Sequence, residues 1–103
     1  MSLLLKTFAR IVTTAGTRVQ LSTVSIPTTA FLIQANSNNA GLIYVGDVTV
    51  EAANSPYLTA GAVNSKEGQP VSRGVIQTFD LSKIYIDASV SGEGVKVEYI
   101  GVE

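Results

Sequence analysis

Residues 83–100, KIYIDASVSGEGVKVEYI, decide the fold that we expect for this chain of 103 residues. Their first part alternates, with Ile84 and Ile86 on the inward face and Tyr85 and Asp87 on the outward one. A period of two places successive side chains on opposite faces, which is typical of a half-buried β-strand. Beyond the SGEG turn the second part alternates in the same way, so the stretch predicts a β-hairpin.

The same pattern appears in the middle of the chain. Residues 30–35 alternate, with Phe31 and Ile33 on one face, and residues 42–45 are again apolar. Between them the run NSNNAG, at 36–41, is rich in residues that tolerate the left-handed backbone of turns. This region therefore predicts a second hairpin.

Shorter strand signals occupy the rest of the chain. Windows with the 3.6-residue apolar period of a helix are hard to find, whereas proline and glycine separate many short segments. Further candidate strands are residues 8–14, 17–23, 57–58 and 74–79, and an alternating pattern continues over 48–52. Together these segments predict an all-β fold, a single-domain antiparallel β-sandwich or jelly roll of about eight short strands.

The N-terminal stretch lies outside the clearest alternation, so we divide the chain into an N-terminal arm or edge segment at 1–10 and a β-sandwich domain at 11–103. The segment fits a short helix or an extended arm. Exposed on a monomer, its side chains would form an apolar patch of the kind that marks interfaces. Folded back, it would be an edge strand on its own core. Both alternatives stay open, and the candidate interface residues are Leu3, Leu4, Leu5, Phe8 and Arg10.

The composition excludes several kinds of catalytic and metal site. The chain contains no histidine, no cysteine and no tryptophan. Ser-His-Asp and Cys-His catalysis, disulfides and thiolate metal sites therefore cannot be built from it. We expect a protein that is not an enzyme and that carries no cofactor or metal.

Charge and hydropathy narrow the choice of partners. Seven basic residues stand against eight acidic ones, and charged residues make up only 15% of the chain. We therefore expect no nucleic acid partner, because phosphate binding needs a basic surface. No apolar run approaches the ~20 residues that span a bilayer. The start, MSLLLKTFAR, lacks the basic region and long apolar core of a secretory signal, so we expect synthesis in a cytoplasm.

Five acidic residues suggest chemistry of another kind. Asp47 and Glu51 supply oxygens of the sort that calcium binds, but two carboxylates outside an EF-hand spacing are better explained by a solvated strand face. Asp80, Asp87 and Glu93 suggest glycoside hydrolysis by paired carboxylates, yet nothing in the sequence places two of them at the required separation. Asp80 is better explained as a turn residue that accepts hydrogen bonds from its own backbone.

A glycine-rich turn and the tyrosines have structural explanations too. Residues 92–94, GEG, lack the spacing of a phosphate-binding loop and fit a hairpin turn. Tyrosines can stack on bases or sugars, but without a basic groove strand packing or subunit contact explains them better. The four tyrosines are Tyr44, Tyr57, Tyr85 and Tyr99.

Three segments together resemble a group of small bacteriophage structural proteins. They are FLIQANSNNAGLIYVGDVTV at 31–50, YLTAGAV at 57–63 and DLSKIYIDASVSGEGVKVEYI at 80–100. The shared pattern is an apolar strand, an Asn-rich turn, IYVGD, an L-x-x-G loop, DLSKIYIDA and GEGV, and the similarity extends over residues 18–100. The Gly46-Asp47 turn and the DLSKIYIDA strand match as structural residues, and the family has no catalytic residues to carry over.

The resemblance implies a virion component on the capsid surface, synthesised in the host cytoplasm. Relatives of this size are typically decoration or cement subunits that bind the major capsid protein, often as homotrimers of β-sandwich or jelly-roll subunits. We therefore expect a capsid decoration protein. Two alternatives stay open: a tail or fibre-associated module that contacts a host receptor or glycan, and a small carbohydrate-active or lytic enzyme. The missing histidine counts against the enzyme.

Overall fold

Alternating apolar sequence forms ten strands in the part of the chain that the computed structural model describes, residues 3–67 and 78–102. A short 3-10 helix, Leu81–Lys83, lies between the eighth and ninth strands. The strands are β1 (Leu3–Val12), β2 (Val19–Gln20), β3 (Pro27–Thr28), β4 (Ala30–Ala35), β5 (Ile43–Gly46), β6 (Tyr57–Leu58), β7 (Val63–Glu67), β8 (Phe79–Asp80), β9 (Tyr85–Ala88) and β10 (Glu93–Val102).

The strands assemble into two four-stranded sheets and one small pair. The first sheet has the order β1-β10-β4-β7, the second has the order β2-β9-β5-β6, and β3 pairs with β8. All of these pairings are antiparallel. The two large sheets share one core, so the predicted all-β antiparallel sandwich is confirmed, with ten strands in the described residues where about eight were expected.

The core between the sheets is built from the inward members of the alternating strands. Val12, Ile33 and Val95 come from the first sheet, Ile43 and Ile86 come from the second, and all five are 0% exposed. Full burial of a side chain of this kind stabilises the fold by about 1.5–3 kcal/mol. Contact between the sheets therefore stabilises the pairs of short strands, which are marginal by themselves.

Both predicted hairpins are wrong, because each turn carries the chain from one sheet to the other. β4 lies in the first sheet and β5 in the second, while β9 lies in the second sheet and β10 in the first. Alternation identifies the inward face of a strand. Since the inward faces of both sheets meet in the same core, alternation cannot distinguish a hairpin from two strands that belong to different sheets.

We call these two turns, between β4 and β5 and between β9 and β10, the corners of the sandwich, and they contact each other. The carboxylate of Glu93 accepts hydrogen bonds from the backbone N–H groups of Ala40 and Gly41, at 2.5 and 2.8 Å. The side-chain amide of Asn39 donates from Nδ2 to the carbonyl of Gly94 at 3.0 Å. The polar residues of the two turns therefore attach the corners to each other as well as reversing the chain.

Some strand bounds agree with the sequence and others do not. The predicted strands at 30–35 and 57–58 are confirmed as β4 and β6. The strand expected at 8–14 begins earlier, at Leu3, and ends at Val12, and the one expected at 17–23 is reduced to the two residues of β2.

Two further strand predictions need correction or fall partly outside the description. Residues 48–52 form no strand, because the carbonyl of Asp47 accepts from the N–H of Val50 at 2.9 Å and closes a turn there. Of the strand expected at 74–79, positions 74–77 lie outside the described residues, and Phe79 belongs to β8.

Candidate docking surface on the first sheet

The candidate interface residues lie on β1, which forms one edge of the first sheet. β1 pairs with β10 in a single register, from Leu3 opposite Val102 to Val12 opposite Glu93. The side chains of Leu3 and Leu5 lie on the outer face of the sheet and are 71% and 64% exposed. These two leucines are accessible to a partner.

The other three candidate residues lie on the inward side of β1. Phe8 is half-buried and packs edge to face on Tyr99, with 5.8 Å between the ring centroids. Arg10 is half-buried, and its Nε donates to the backbone carbonyl of Gln20 at 2.8 Å. Leu4 is also half-buried. The five candidates therefore fall into two groups: Leu3 and Leu5 face outward, whereas Phe8 and Arg10 attach β1 to the sandwich and Leu4 lies on their side of the strand.

An apolar surface extends from β1 across the outside of the first sheet. Leu5 lies opposite Ile100 of β10, and Glu98 of β10 lies opposite Leu32 of β4, so these side chains share one face. Two open depressions of about 130 and about 420 Å³ lie on this face, and Leu32 and Glu98 line both. We call it the outer apolar face. Its apolar residues are Leu3, Leu5, Ala9, Ile11, Ala30, Leu32, Val63 and Ile100, and the polar residues among them are Thr7, Gln34, Ser65, Lys96 and Glu98.

The backbone on the free side of β1 belongs to the same outer-face residues. In an antiparallel sheet, hydrogen-bonded and non-hydrogen-bonded residue pairs alternate along each ladder. The carbonyl of Gly94 accepts from the N–H of Asn36 at 3.0 Å, so even-numbered residues of β10 turn toward β4 and odd-numbered ones toward β1. Because Val95 lies opposite Arg10, the even-numbered residues of β1 bond to β10. The backbone groups that turn away from the sheet are those of Leu3, Leu5, Thr7, Ala9 and Ile11.

This free side is a template for pairing with another strand. Among the described strands none pairs with it, and β1 offers ten residues in unbroken register, without proline. Long, regular, apolar edges promote association, and proteins usually blunt them with charge, proline or a bulge. β1 has only Lys6 and Arg10 as charged residues, and both lie on its inward side.

A groove runs beside this edge between the two sheets. It has a volume of about 350 Å³ and is lined by Phe8 and Arg10 on one side and by Leu21, Ser22 and Ile26 on the other. The second sheet is narrow here, because its own edge strand β2 has only two residues. β1 therefore borders an opening of the sandwich rather than a covered seam.

The acidic candidates accept hydrogen bonds from groups of the chain itself, and Asp80 is the clearest case. It caps the 3-10 helix: its Oδ1 accepts from the N–H of Ser82 at 2.9 Å and of Ile26 at 3.1 Å, and its Oδ2 accepts from the hydroxyl of Ser25 at 2.5 Å. The bond from Ser25, followed by those from Ser82, holds the pKa of Asp80 well below its ordinary value of 3.8, because they favour the charged form. The predicted turn role of Asp80 agrees with this geometry.

Asp47 and Glu51 lie in the turns after β5 and bind neighbouring residues rather than each other. Asp47 Oδ1 accepts from the N–H and hydroxyl of Thr49, at 2.8 and 2.6 Å. Hydrogen bonding by Thr49 lowers the pKa of Asp47. The side chain of Glu51 accepts from the amide of Asn54. Both carboxylates therefore stabilise local turns instead of lying on the strand face that the sequence suggested.

Asp87 corrects a prediction, because it was expected to face outward and is only 5% exposed. Its Oδ1 accepts from the N–H of Gly16 at 3.0 Å and from its neighbour Ala88 at 2.7 Å. The turn after β1 thus covers the outer side of β9, which alternation alone could not reveal. A buried carboxylate is tolerated when hydrogen bonds replace its hydration. No group of three His, Cys, Asp or Glu side chains in residues 3–67 and 78–102 could hold a metal ion.

The tyrosines are distributed over the sandwich rather than gathered into a stacking platform. Tyr44 is buried, Tyr85 is half-buried, and Tyr99 packs on Phe8. Tyr57 is 59% exposed on β6. Strand packing therefore accounts for three of the four.

Sequence reasoning missed the members of the outer apolar face that lie beyond β1. Leu32 and Ile100 occupy the positions that alternate with the core residues of β4 and β10. An apolar residue at such a position was the available signal, because the solvent face of a strand is ordinarily polar. Ile11, 44% exposed on β1, carries the same signal.

Comparison with known protein families, with curated proteins and with solved structures finds no match for this chain. In the described segments, no helix is long and apolar enough to cross a membrane.

Proposed function

We propose that this protein decorates a bacteriophage capsid, binding the major capsid protein at the surface of the assembled head and stabilising it through protein–protein contacts. The observation that supports this best is the outer apolar face of the first sheet, on which Leu3 and Leu5 are 71% and 64% exposed. Exposed apolar faces of this kind bind other chains through side-chain packing. The resemblance of residues 18–100 to phage structural proteins supplies the kind of partner.

The braced loops support a binding role because they make the scaffold rigid. Asp80 receives an N–H from residue 26, Asp87 from residue 16 and Glu93 from residue 41, so each carboxylate ties together distant parts of the chain. A surface that is ordered before binding loses little conformational entropy when a partner docks. These three carboxylates therefore stabilise the loops that connect the strands.

The symmetry of a capsid suits a modest contact. Many identical weak contacts on one lattice act together through a high effective concentration, so each copy needs only a small apolar interface. Exposed leucines on β1 and a nearly neutral chain, with net charge −1, meet that need without electrostatic attraction.

Sedimentation with undecorated heads tests the proposal. The wild-type protein should sediment with the heads and raise the temperature at which they release DNA. Leu5→Lys puts a charge into the outer apolar face and should weaken binding about tenfold or more. Val48→Lys is the matched control, because Val48 is 54% exposed on a turn away from β1 and its change should leave binding intact.

Two outcomes would redirect the proposal. If Leu5→Lys binds heads as well as the wild type does, the outer apolar face is not the contact. If the wild type ignores heads but binds host cells or polysaccharide, the protein is a tail or fibre-associated module that contacts a receptor or glycan.

We also propose that the protein forms a homo-oligomer, since a free apolar edge favours self-association. The family resemblance implies a trimer, for which light scattering would give three times the chain mass of 10.8 kDa. The edge of β1, however, is suited to pairing between two copies and therefore favours a dimer.

A further inference from the structure

We propose that β1 pairs antiparallel with β1 of a second copy. The two-fold axis passes between Thr7 and its counterpart, so that the first sheet of one copy continues into the first sheet of the other. The proposal deepens the self-association of the proposed function and rests on that part alone, not on the identity of the capsid partner. Three features of β1 support it: its free backbone groups, its charge pattern and its apolar side chains.

The backbone groups permit a symmetric pairing. Around a two-fold axis perpendicular to the sheet, the residue at the axis lies opposite its own copy. With Thr7 there, Leu3 lies opposite Ile11 of the partner and Leu5 opposite Ala9. All of these residues turn their N–H and C=O groups away from β10, as the register shows. The pairing would therefore form about ten hydrogen bonds between the copies.

The charges select this register over the alternative of similar length. An axis at Phe8 would place Lys6 directly opposite Arg10 of the partner, and like charges at opposed positions destabilise a sheet. An axis at Thr7 places Lys6 opposite Phe8 and Arg10 opposite Leu4. The cations then lie against an aromatic ring and an aliphatic side chain, and the ring attracts a cation.

The outer face is self-complementary in the same register. The exposed large apolar residues of β1 are Leu3, Leu5 and Ile11, at 71%, 64% and 44%. Each would lie opposite an apolar residue of the partner, and Thr7 opposite Thr7, a favourable cross-strand pair. Since an isologous interface requires a patch that fits itself, a second copy is the occupant that this edge fits.

A proline at the axis tests the backbone pairing. The N–H of Thr7 is free of β10, and proline is tolerated in edge strands where the N–H faces solvent. Thr7→Pro should therefore fold, as shown by circular dichroism, and should raise the dimer dissociation constant at least tenfold in sedimentation velocity. Val48→Lys, at a 54% exposed turn residue outside both β1 and the outer apolar face, should leave the constant unchanged.

Cysteine cross-linking tests the register and does not depend on the proline variant. The chain has no cysteine, so an introduced one reports a single position. Thr7→Cys should form a disulfide dimer on mild oxidation, because only a residue at the axis lies within reach of its own copy. Leu5→Cys and Ala9→Cys should each stay uncross-linked alone and should cross-link when mixed.

Three outcomes would overturn the pairing. They are a wild-type protein that is monomeric at 100 μM, a wild-type trimer, and a dimer that Thr7→Pro leaves intact. Efficient cross-linking of Phe8→Cys in place of Thr7→Cys would replace the register. A monomer that still sediments with heads would refute the pairing and leave decoration standing, whereas a dimer that ignores heads would do the reverse.

Discussion

The two corner turns between the sheets, after β4 and after β9, differ from the β1 edge in whether their backbone polar groups are hydrogen-bonded within the chain. At the corners, side chains such as Glu93 and Asn39 satisfy backbone groups within the chain. Along β1, alternate backbone groups pair with no other described strand, and the side chains of Leu3 and Leu5 are exposed. The difference teaches that the turns of this small domain stabilise its own fold, whereas the edge of β1 is the region that we propose contacts other chains.

The largest effect is expected where a corner meets β1, at Gly94. A Cβ there would collide with the carbonyl oxygen of Arg10 and lie 2.8 Å from Ile11 Cα, and both are backbone atoms. We expect Gly94→Ala to lower the free energy of unfolding by about 3 kcal/mol, measured by urea titration. Gly92→Ala is the control: its φ of +85° is strained for alanine but its surroundings are open, so about 1 kcal/mol is expected. Equal losses would mean that the close approach is unimportant.

A smaller loss is expected when the buried brace at Asp87 is removed. Asp87→Ala leaves the N–H groups of Gly16 and Ala88 without their acceptor, which should cost about 2 kcal/mol in urea unfolding. Asp87→Asn keeps an oxygen at the same place and should lose less than half of that. Hydrogen exchange at Gly16 should accelerate in the alanine variant. Unchanged exchange would show that the turn after β1 is held by other contacts.

A pH-dependent effect is expected at Asp80. Its folded pKa lies below the ordinary value of 3.8, so the unfolded chain binds more protons in acid. The stabilisation by Asp80 is therefore complete above about pH 4 and is lost as the pH falls below that value. Urea titrations from pH 7 to pH 2.5 should show a shallower acid-side decline for Asp80→Asn than for the wild type. Ser25→Ala, which removes the main cause of the shift, should lie between them, and identical slopes would refute this account.

The smallest effect on folding is expected on β1. Leu3→Ser and Leu5→Ser alter exposed side chains, so the stability of the monomer should change by less than about 0.5 kcal/mol. Self-association should weaken clearly in the same variants, measured by sedimentation velocity. A loss of stability above 1.5 kcal/mol at low protein concentration would mean that these leucines pack on the chain's own core.

Part of the candidate docking surface could be predicted from the sequence. Leu3 and Leu5 stood out because they lie beyond the clear alternation, and both are exposed on the edge strand. Leu4, Phe8 and Arg10 were grouped with them, but alternation along one strand sends them to the inward side. The sequence left helix, arm and edge strand open for this segment, since its pairing with β10 joins the two ends of the chain.

By itself, the sequence determined the inward residues of strands such as β4 and β10 and the turn role of Asp80, because side-chain alternation and turn chemistry are local properties. The β4 strand and the cap at Asp80 illustrate both. Only the tertiary structure decided that the two expected hairpins are corners between sheets, that Asp87 is buried, and that no other described strand pairs with the outer edge of β1. These features depend on which distant strand lies alongside, and a pattern that gives the same inward face to both sheets carries no information about that neighbour.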